Sequence, residues 1–167
     1  GAIVVDKQLH TTADNIWAMG DVTGGLQFTY ISLDDYRIVR DELLGEGRRS
    51  TDDRKNVPYS VFMTPPLSRV GMTEEQARES GADIQVVTLP VAAIPRARVM
   101  NDTRGVLKAI VDNKTQRILG ASLLCGDSHE MINIVKMVMD AGLPYSILRD
   151  QIFTHPSMSE SLNDLFS

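Results

Sequence analysis

The spacing of hydrophobic residues predicts short strands and one helix in the first third of the chain. Residues 2–6 and 15–19 are apolar runs of strand length, and the second run ends at Gly20 and Asp21, where a tight turn is expected. Between residues 26 and 44 the apolar positions recur with approximately helical spacing, which predicts a helix. Because the first run has no preceding turn or N-cap, we expect the chain to continue a longer polypeptide.

A polar segment separates this first region from the rest of the chain. Residues 45–56 contain two glycines and no large apolar side chain, so they are not expected to contribute to a core. We therefore expect a first region over residues 1–47, a linker over residues 48–56, and a second domain over residues 57–167.

The second domain combines strand and helix patterns. Thr73 and Gln76 have the spacing of a capping box and Gly81 is a suitable stop, which predicts a short helix. A longer helix is predicted over residues 128–141, and a polar segment at 112–116 has the composition of a hairpin turn. Together these patterns favour an α+β domain with an antiparallel sheet and flanking helices. Runs rich in Val, Ile and Leu predict its strands at residues 59–63, 85–91, 105–111 and 117–124.

Composition narrows the functional classes. The chain has 17 Lys and Arg residues against 22 Asp and Glu residues, a net charge of -5, so a surface that binds nucleic-acid phosphates is not expected. No apolar run approaches the roughly 18 residues that span a bilayer, and no membrane role is expected. The single cysteine, Cys125, cannot form an intramolecular disulfide, which favours the reducing cytoplasm.

The most specific chemical pattern is HPSMSE at residues 155–160. A histidine whose ring contacts a carboxylate has its tautomer and orientation fixed, as general acid-base catalysis requires, and His155 and Glu160 are the candidates for such a pair. Ser157 and Glu160 also have capping-box spacing, so Glu160 could instead cap a helix and leave His155 as a surface residue. Spacing leaves both interpretations open, and a carboxylate has two oxygens with which to serve both.

Other residues with catalytic chemistry are interpreted as structural. His10 lies in a polar turn, and His129 lies at a predicted helix start. Cys125 follows an apolar strand, where a lone cysteine usually acts as a small hydrophobe, so we do not expect it to be a nucleophile. No metal-ligand motif, nucleophile elbow, Walker loop or GxGxxG is present, so no metal site is expected. A Ser/His/Asp hydrolase using His155 has only residue types in its favour.

Three segments in order carry a family resemblance. They are IWAMGDV at residues 16–22, VGMTEEQA at residues 70–77 and HPSMSE at residues 155–160. Together they resemble the class I pyridine nucleotide-disulfide oxidoreductases, which include glutathione reductase and dihydrolipoamide dehydrogenase. The middle and tail are most similar to the mercuric-reductase-like branch, including flavoproteins linked to resistance against reactive chlorine. The resemblance implies the end of an α/β FAD-binding domain followed by a dimerisation domain.

The resemblance assigns flavin contacts to the first region. The family's Ala-x-Gly-Asp sequence maps to Gly20 and Asp21, where the glycine permits close approach and the carboxylate bonds the ribityl chain. Thr29 matches the position whose backbone N–H contacts the pyrimidine edge of the flavin, at a helix N-terminus. Without the resemblance, Asp21 would be interpreted as a turn residue.

The resemblance also assigns roles to the tail. His155 and Glu160 match the family's His-Pro-x-x-x-Glu motif, whose histidine reaches across a two-fold axis to the partner subunit's redox-active disulfide. Because that histidine serves the partner subunit, the resemblance implies a homodimer. It also implies that electrons pass from NAD(P)H to FAD, to a cysteine pair and on to a disulfide, metal-ion or oxidant acceptor. Two cis peptide bonds are also implied, Thr64-Pro65 and His155-Pro156.

Several parts of such an enzyme lie outside these 167 residues. The redox cysteine pair, the GxGxxG loops and the nicotinamide domain are absent from the sequence. We therefore expect a fragment that is inactive alone and binds neither FAD nor NAD(P)H tightly. The alternative is a stand-alone dimerisation or binding module without catalysis.

Overall fold

The chain folds as two compact units. A computed structural model describes residues 1–167, and these divide into Gly1–Lys55 and Asn56–Ser167. The division falls at the end of the polar segment at residues 45–56, where the sequence offers few side chains for a core.

The first unit is built around helix α1, Thr29–Leu44. Short 3-10 helices stand on either side of it, at Gly20–Thr23 and Thr51–Asp53. The helix predicted at residues 26–44 is confirmed, but it begins only at Thr29 because the backbone of Phe28 is still extended.

The strands predicted at residues 2–6 and 15–19 are wrong. These residues make only isolated bridges and no continuous ladder. Leu9 and Asn15 have φ angles of 71° and 60°, so the backbone turns sharply at both positions. The extended segments between these turns are therefore too short to form a continuous strand ladder.

The second unit is a five-stranded sheet with short helices and one longer helix. Every pair of neighbouring strands is antiparallel, which confirms the predicted α+β domain with an antiparallel sheet. The helices are α2 Glu74–Glu79, α3 Pro95–Val99, α4 Ser128–Asp140, α5 Ser146–Arg149 and α6 Ser161–Leu165. The strands are β1 Tyr59–Val61, β2 Leu67–Gly71, β3 Ile84–Pro90, β4 Val106–Asp112 and β5 Ile118–Leu124, in the spatial order β1-β2-β5-β4-β3.

Local sequence explains several element ends. The Thr73 side chain accepts from the Gln76 N–H while the Gln76 side chain accepts from the Thr73 N–H, so the predicted capping box of α2 is confirmed. Asp112 closes the predicted β4–β5 hairpin, because its side chain accepts from two backbone N–H groups of the turn at 2.7 and 3.2 Å. The two expected cis bonds, Thr64-Pro65 and His155-Pro156, are both present.

One hydrophobic core joins the sheet to the helices. Alternate residues of β4 point to one sheet face, and Leu107, Ala109 and Val111 all belong to this core. Helix α4 packs beside β2 and β5, and α6 packs beside β3 and β4. The helical residues of the core include Met131, Ile132 and Val135 from α4 and Leu162 and Leu165 from α6.

Strand β2 was not predicted, because its buried face is half polar. Ser68 and Val70 are the buried residues of this strand. The Ser68 hydroxyl lies 2.7 Å from that of Ser60 and 2.9 Å from that of Ser128, so its burial leaves no unpaired polar group. A hydrophobicity pattern does not detect a strand whose core position is a serine.

Truncating neighbouring residues of β4 should change the free energy of unfolding by very different amounts. Leu107 is fully buried, whereas Val106 is 41% exposed. We expect Leu107→Ala to lower the free energy of unfolding by about 2–5 kcal/mol, because it leaves a cavity in the core. Val106→Ala, the matched control, should cost less than about 1 kcal/mol. Urea unfolding followed by circular dichroism at fixed protein concentration measures both, and equal losses would contradict the assigned core.

Candidate functional site

The residues expected to contact the flavin lie on one turn and on the helix after it. Gly20 and Asp21 begin the 3-10 helix Gly20–Thr23, which packs against α1. Thr29 is the first residue of α1, and both Asp21 and Thr29 are exposed. The structure therefore places Gly20 and Asp21 on a turn that packs against the helix beginning at Thr29.

The position of Gly20 favours glycine. Its φ angle is 78°, and a Cβ atom there would lie 3.0 Å from the Ser32 hydroxyl oxygen on α1. Both the backbone conformation and the close approach to the helix favour a residue without a side chain.

The chemistry of this surface fits one edge of a flavin. No side chain caps α1, and the first N–H groups of a helix have no acceptor within it, so the Thr29 N–H remains a donor at the positive end of the helix dipole. The Asp21 carboxylate is an acceptor for hydroxyl groups. Val22 and Leu26, 49% and 52% exposed, provide apolar surface nearby in the sequence. These are the donors and acceptors that pyrimidine carbonyls and ribityl hydroxyls require.

A buried ion-pair cluster supports the turn. Asp35 is 2% exposed, and its carboxylate accepts a 2.7 Å hydrogen bond from the Gly20 N–H. The Arg54 guanidinium also donates to Asp35, and its Nε donates to Asp34 at 2.7 Å. Burial opposes the charge of Arg54, but its hydrogen bonds with Asp34 and Asp35 outweigh that effect and raise the pKa of Arg54 above its usual value.

This cluster was not predicted from the sequence. Asp35 lies four residues after Ile31 and three before Ile38, and all three are buried on one face of α1. An acidic residue at an apolar position of an amphipathic helix is a signal that it has a buried partner. The partner, Arg54, lies in the polar segment that was interpreted only as a linker.

The tail brings the predicted pair together. His155 Nδ1 lies 2.8 Å from Glu160 Oε2. The other oxygen of Glu160 accepts from the Ser157 N–H at 3.2 Å, and the Glu160 N–H donates to the Ser157 hydroxyl at 3.2 Å. Each oxygen of the carboxylate therefore serves a different partner. The bonds with Ser157 have the form of a capping box but close a turn, because α6 begins only at Ser161 and has no side-chain cap.

This geometry leaves one ring nitrogen of His155 available. A carboxylate only accepts hydrogen bonds, so Nδ1 carries the hydrogen in the contact with Glu160 and Nε2 is free to exchange a proton. The His155 side chain is 70% exposed, whereas that of Glu160 is 17% exposed. The arrangement is a largely exposed imidazole that is held at Nδ1 by a carboxylate.

The residues after His155 anchor it to the core. Met158, Leu162 and Leu165 are all buried in the hydrophobic core of the second unit. Asn163, which was not singled out from the sequence, donates to three backbone carbonyls between residues 148 and 151 at 2.7, 2.9 and 3.0 Å. The tail is therefore fixed on both sides of Glu160.

Cys125 has the environment of a core residue. It is fully buried, its sulfur lies 3.9 Å from that of Met131, and burial, with a smaller contribution from the Asp127 charge, raises the pKa of its thiol to about 12. Because the thiolate is the reactive species, this environment favours a packing role for Cys125 over a nucleophilic one.

The remaining histidines contact nearby side chains. His10 lies 3.1 Å from Asp6 and 3.5 Å from Glu42, and the His129 ring packs against Phe62 with 5.6 Å between centroids. The structure contains no group of three or more His, Cys, Asp or Glu residues arranged to hold a metal ion. None of its helices combines the length and hydropathy of a bilayer-spanning segment.

Comparison with known proteins points to one family. Residues 57–166 match the family described as pyridine nucleotide-disulphide oxidoreductase, dimerisation domain. The whole chain is 98% identical to the probable pyridine nucleotide-disulfide oxidoreductase RclA of Escherichia coli, and spans 38% of that relative's length. It is also 35% identical over 162 residues to a mercuric reductase of Staphylococcus aureus, covering 97% of this chain and 29% of the relative.

Solved structures agree with these matches. The HOCl-induced flavoprotein disulfide reductase RclA from Escherichia coli aligns with a TM-score of 0.98 at 97% identity, over 99% of this chain and 38% of that one. LpdA from Mycobacterium tuberculosis aligns with a TM-score of 0.87 at 23% identity, over 99% of this chain and 36% of that one, which shows a shared fold.

The buried thiol gives a direct chemical test of the core around Cys125. At pH 8 a thiol with a pKa of about 12 remains almost wholly protonated, so we expect its reaction with a disulfide reagent such as dithionitrobenzoate to be at least about 100-fold slower in the native chain than in guanidinium. Absorbance of the released thiolate measures the rate. Rapid stoichiometric labelling of the native chain would contradict the assigned environment.

Proposed function

This chain belongs to the pyridine nucleotide-disulphide oxidoreductase family, and we propose that it is the C-terminal part of a flavin-dependent member whose cofactors are FAD and NAD(P)H. In this proposal residues 1–47 close the FAD-binding domain and residues 57–167 form the dimerisation domain. Residues 48–56 link the two, and their Arg54 also pairs with Asp34 and Asp35 of α1. Bound FAD supplies the electron-transfer chemistry. The full-length enzyme passes electrons through a redox disulfide to an acceptor.

The first region contributes one edge of the flavin site. We assign the Asp21 carboxylate to a ribityl hydroxyl and the Thr29 N–H to the pyrimidine edge, with Gly20 allowing the backbone to approach. The exposed Asp21 side chain and the uncapped start of α1 support these assignments. The partial positive charge of the helix end favours the electron-rich reduced ring.

The contact between His155 and Glu160 is the observation that carries the catalytic proposal. An exposed imidazole is held by a carboxylate that is itself fixed by the Ser157 turn. His155 Nε2 is then placed to take and return the proton of a thiol, which matters because the thiolate is the species that attacks a disulfide. Glu160 orients the ring and is assigned no proton of its own to transfer.

We propose that the thiol served by His155 belongs to the partner subunit of a homodimer. The second unit matches a dimerisation domain, and apolar side chains that a dimer could cover are exposed on it. They are Val61, Phe62, Met63 and Met137, with exposures of 49%, 78%, 52% and 71%.

The acceptor is proposed as a disulfide, a metal ion or an oxidant. One relative is described as an HOCl-induced flavoprotein disulfide reductase, for which a Cu(II) complex is also known, and others are mercuric reductases. A disulfide is the substrate for which His155 has a defined chemical role, because a metal ion reduced directly by flavin would bypass the histidine.

A stand-alone dimerisation module is the alternative and is less well supported. The matches to oxidoreductases extend through the first region as well as the second, covering 97% or more of the chain, so the flavin-edge residues are part of the similarity.

We also propose the cytoplasm as the location, since a lone, buried cysteine suits a reducing compartment.

We predict that His155→Ala in the full-length dimer slows disulfide turnover by about 100-fold to 10,000-fold, the usual cost of losing a positioned acid-base group. Flavin reduction by NAD(P)H should change little, because His155 is assigned to the thiol step. Stopped-flow absorbance with a disulfide substrate separates the two steps. Equal slowing of both, or no change in turnover, would contradict the assignment.

Two further variants separate orientation from capping. Glu160→Gln keeps an acceptor for His155 but loses the charge, so we expect a smaller loss of turnover than with His155→Ala. Ser157→Ala, the control, removes the hydroxyl that accepts from the Glu160 N–H and leaves the Glu160–His155 contact in place. Turnover near the wild-type value is expected for Ser157→Ala. A loss as large as that of His155→Ala would mean that the integrity of the turn, and not the Glu160–His155 contact, determines turnover.

The dimerisation domain should associate without the rest of the enzyme. We expect light scattering to give about twice the 18.5 kDa chain mass at concentrations on the order of tens of micromolar, with dissociation only on dilution. A strict monomer under these conditions would count against the homodimer.

A further inference from the structure

Asp35 has no part in the flavin contacts assigned above, yet it is the buried acidic residue of the first unit. Its carboxylate is 2% exposed and accepts from the Gly20 N–H at 2.7 Å. Gly20 directly precedes Asp21, the residue proposed to bond the ribityl chain. The carboxylate therefore acts on the backbone of the turn that carries a cofactor contact.

The Gly20 hydrogen bond joins two parts of the proposed site. Asp35 lies on α1, whose first residue is Thr29. Gly20 and Asp21 lie on the preceding turn. A hydrogen bond from that turn to the second turn of α1 fixes Asp21 relative to the N-terminal end of the helix. It also restrains a glycine with a φ angle of 78°, a residue with little conformational preference of its own.

The surroundings of Asp35 supply hydrogen-bond partners for both oxygens of its carboxylate. The Arg54 guanidinium donates to both Asp35 and Asp34, and Arg49 donates to Asp34 at 2.8 Å. A buried carboxylate without such a partner would be costly. Arg54 supplies that partner at one oxygen, so the other oxygen can accept from the Gly20 N–H within the buried cluster.

We propose that Asp35, held by Arg54, is a positioning residue of the FAD site that sets the Gly20–Asp21 turn against the N-terminus of α1. This inference rests on the proposed function, since it requires that the full-length protein binds FAD. In this proposal Asp35 is assigned no contact with the cofactor, and its effect reaches FAD through the backbone of Gly20.

A purely structural role for Asp35 is the competing explanation, and Asp41 provides a matched control for it. Asp41 is another carboxylate of α1, and it accepts from the backbone N–H groups of Arg48 and Arg49 at 2.8 and 2.9 Å. These contacts organise the segment after the C-terminal end of α1, not the turn before the helix. Asp41→Ala thus removes the same kind of contact from the same helix without touching Gly20.

The experiment compares Asp35→Ala, Asp35→Asn and Asp41→Ala in the full-length flavoprotein. Apoprotein is titrated with FAD, and quenching of flavin fluorescence gives the dissociation constant. Thermal unfolding of the apoprotein measures the structural cost separately, and the visible absorbance spectrum reports the flavin environment. Loss of one charge-assisted hydrogen bond predicts FAD affinity weaker by about 10-fold to 100-fold in Asp35→Ala. Asp35→Asn keeps an acceptor oxygen and should lose less, whereas Asp41→Ala should bind FAD as the wild type does.

The outcomes distinguish this inference from the proposed function. Wild-type protein that neither contains nor binds FAD would overturn both. Wild-type binding with unchanged affinity in Asp35→Ala would overturn the inference alone, as would equal losses in Asp35→Ala and Asp41→Ala. Affinity lost in Asp35→Ala, partly retained in Asp35→Asn and unchanged in Asp41→Ala would support the positioning role.

Discussion

Burial of the C-terminal tail against the sheet is the interaction on which the candidate catalytic pair depends. Met158 and Leu162 enter the same hydrophobic core as the strands of the second unit. Their burial fixes the backbone on which Glu160 stands, while His155, outside the core, stays exposed. An imidazole at the start of an unanchored tail would sample many positions, and acid-base catalysis requires a defined one.

In both units one carboxylate uses its two oxygens to bind two different partners. Glu160 uses one oxygen to fix a turn and the other to hold His155. Asp35 likewise accepts from the Gly20 N–H with one oxygen and from Arg54 with the other. In each case a carboxylate of low exposure accepts from a backbone N–H and also binds a side chain. Glu160 contacts His155, the residue proposed to act on the substrate. Asp35 contacts Gly20, which directly precedes Asp21, the residue proposed to contact the cofactor. Structural and functional roles are therefore not alternatives at these positions.

The spacing of residues close in sequence was sufficient to predict much of the fold but not the buried polar contacts. The capping box at Thr73 and the β4–β5 hairpin were predicted, because each depends on residues close in sequence. The spacing of His155 and Glu160 left their contact as one of two interpretations. Strand β2 was missed because buried Ser68 finds its partners on β1 and α4. The ion pair of Asp35 with Arg54 spans 19 residues and joins a helix to a segment without apolar character, so no spacing rule could identify it. The strands predicted before Gly20 failed because apolar composition does not supply a pairing partner.

The central proposal is that this chain completes an active site across a dimer interface, and mixed dimers test it most directly. Full-length subunits that lack the redox cysteine pair are combined with full-length subunits that carry His155→Ala, and disulfide turnover is measured after subunit exchange. Each parent homodimer has no intact site, whereas a mixed dimer has one, in which the intact disulfide of one subunit meets His155 of the other. We predict that activity reappears on mixing, at about half the wild-type turnover per mixed dimer. Mixed dimers as inactive as both parents would show that His155 does not serve the partner subunit's disulfide.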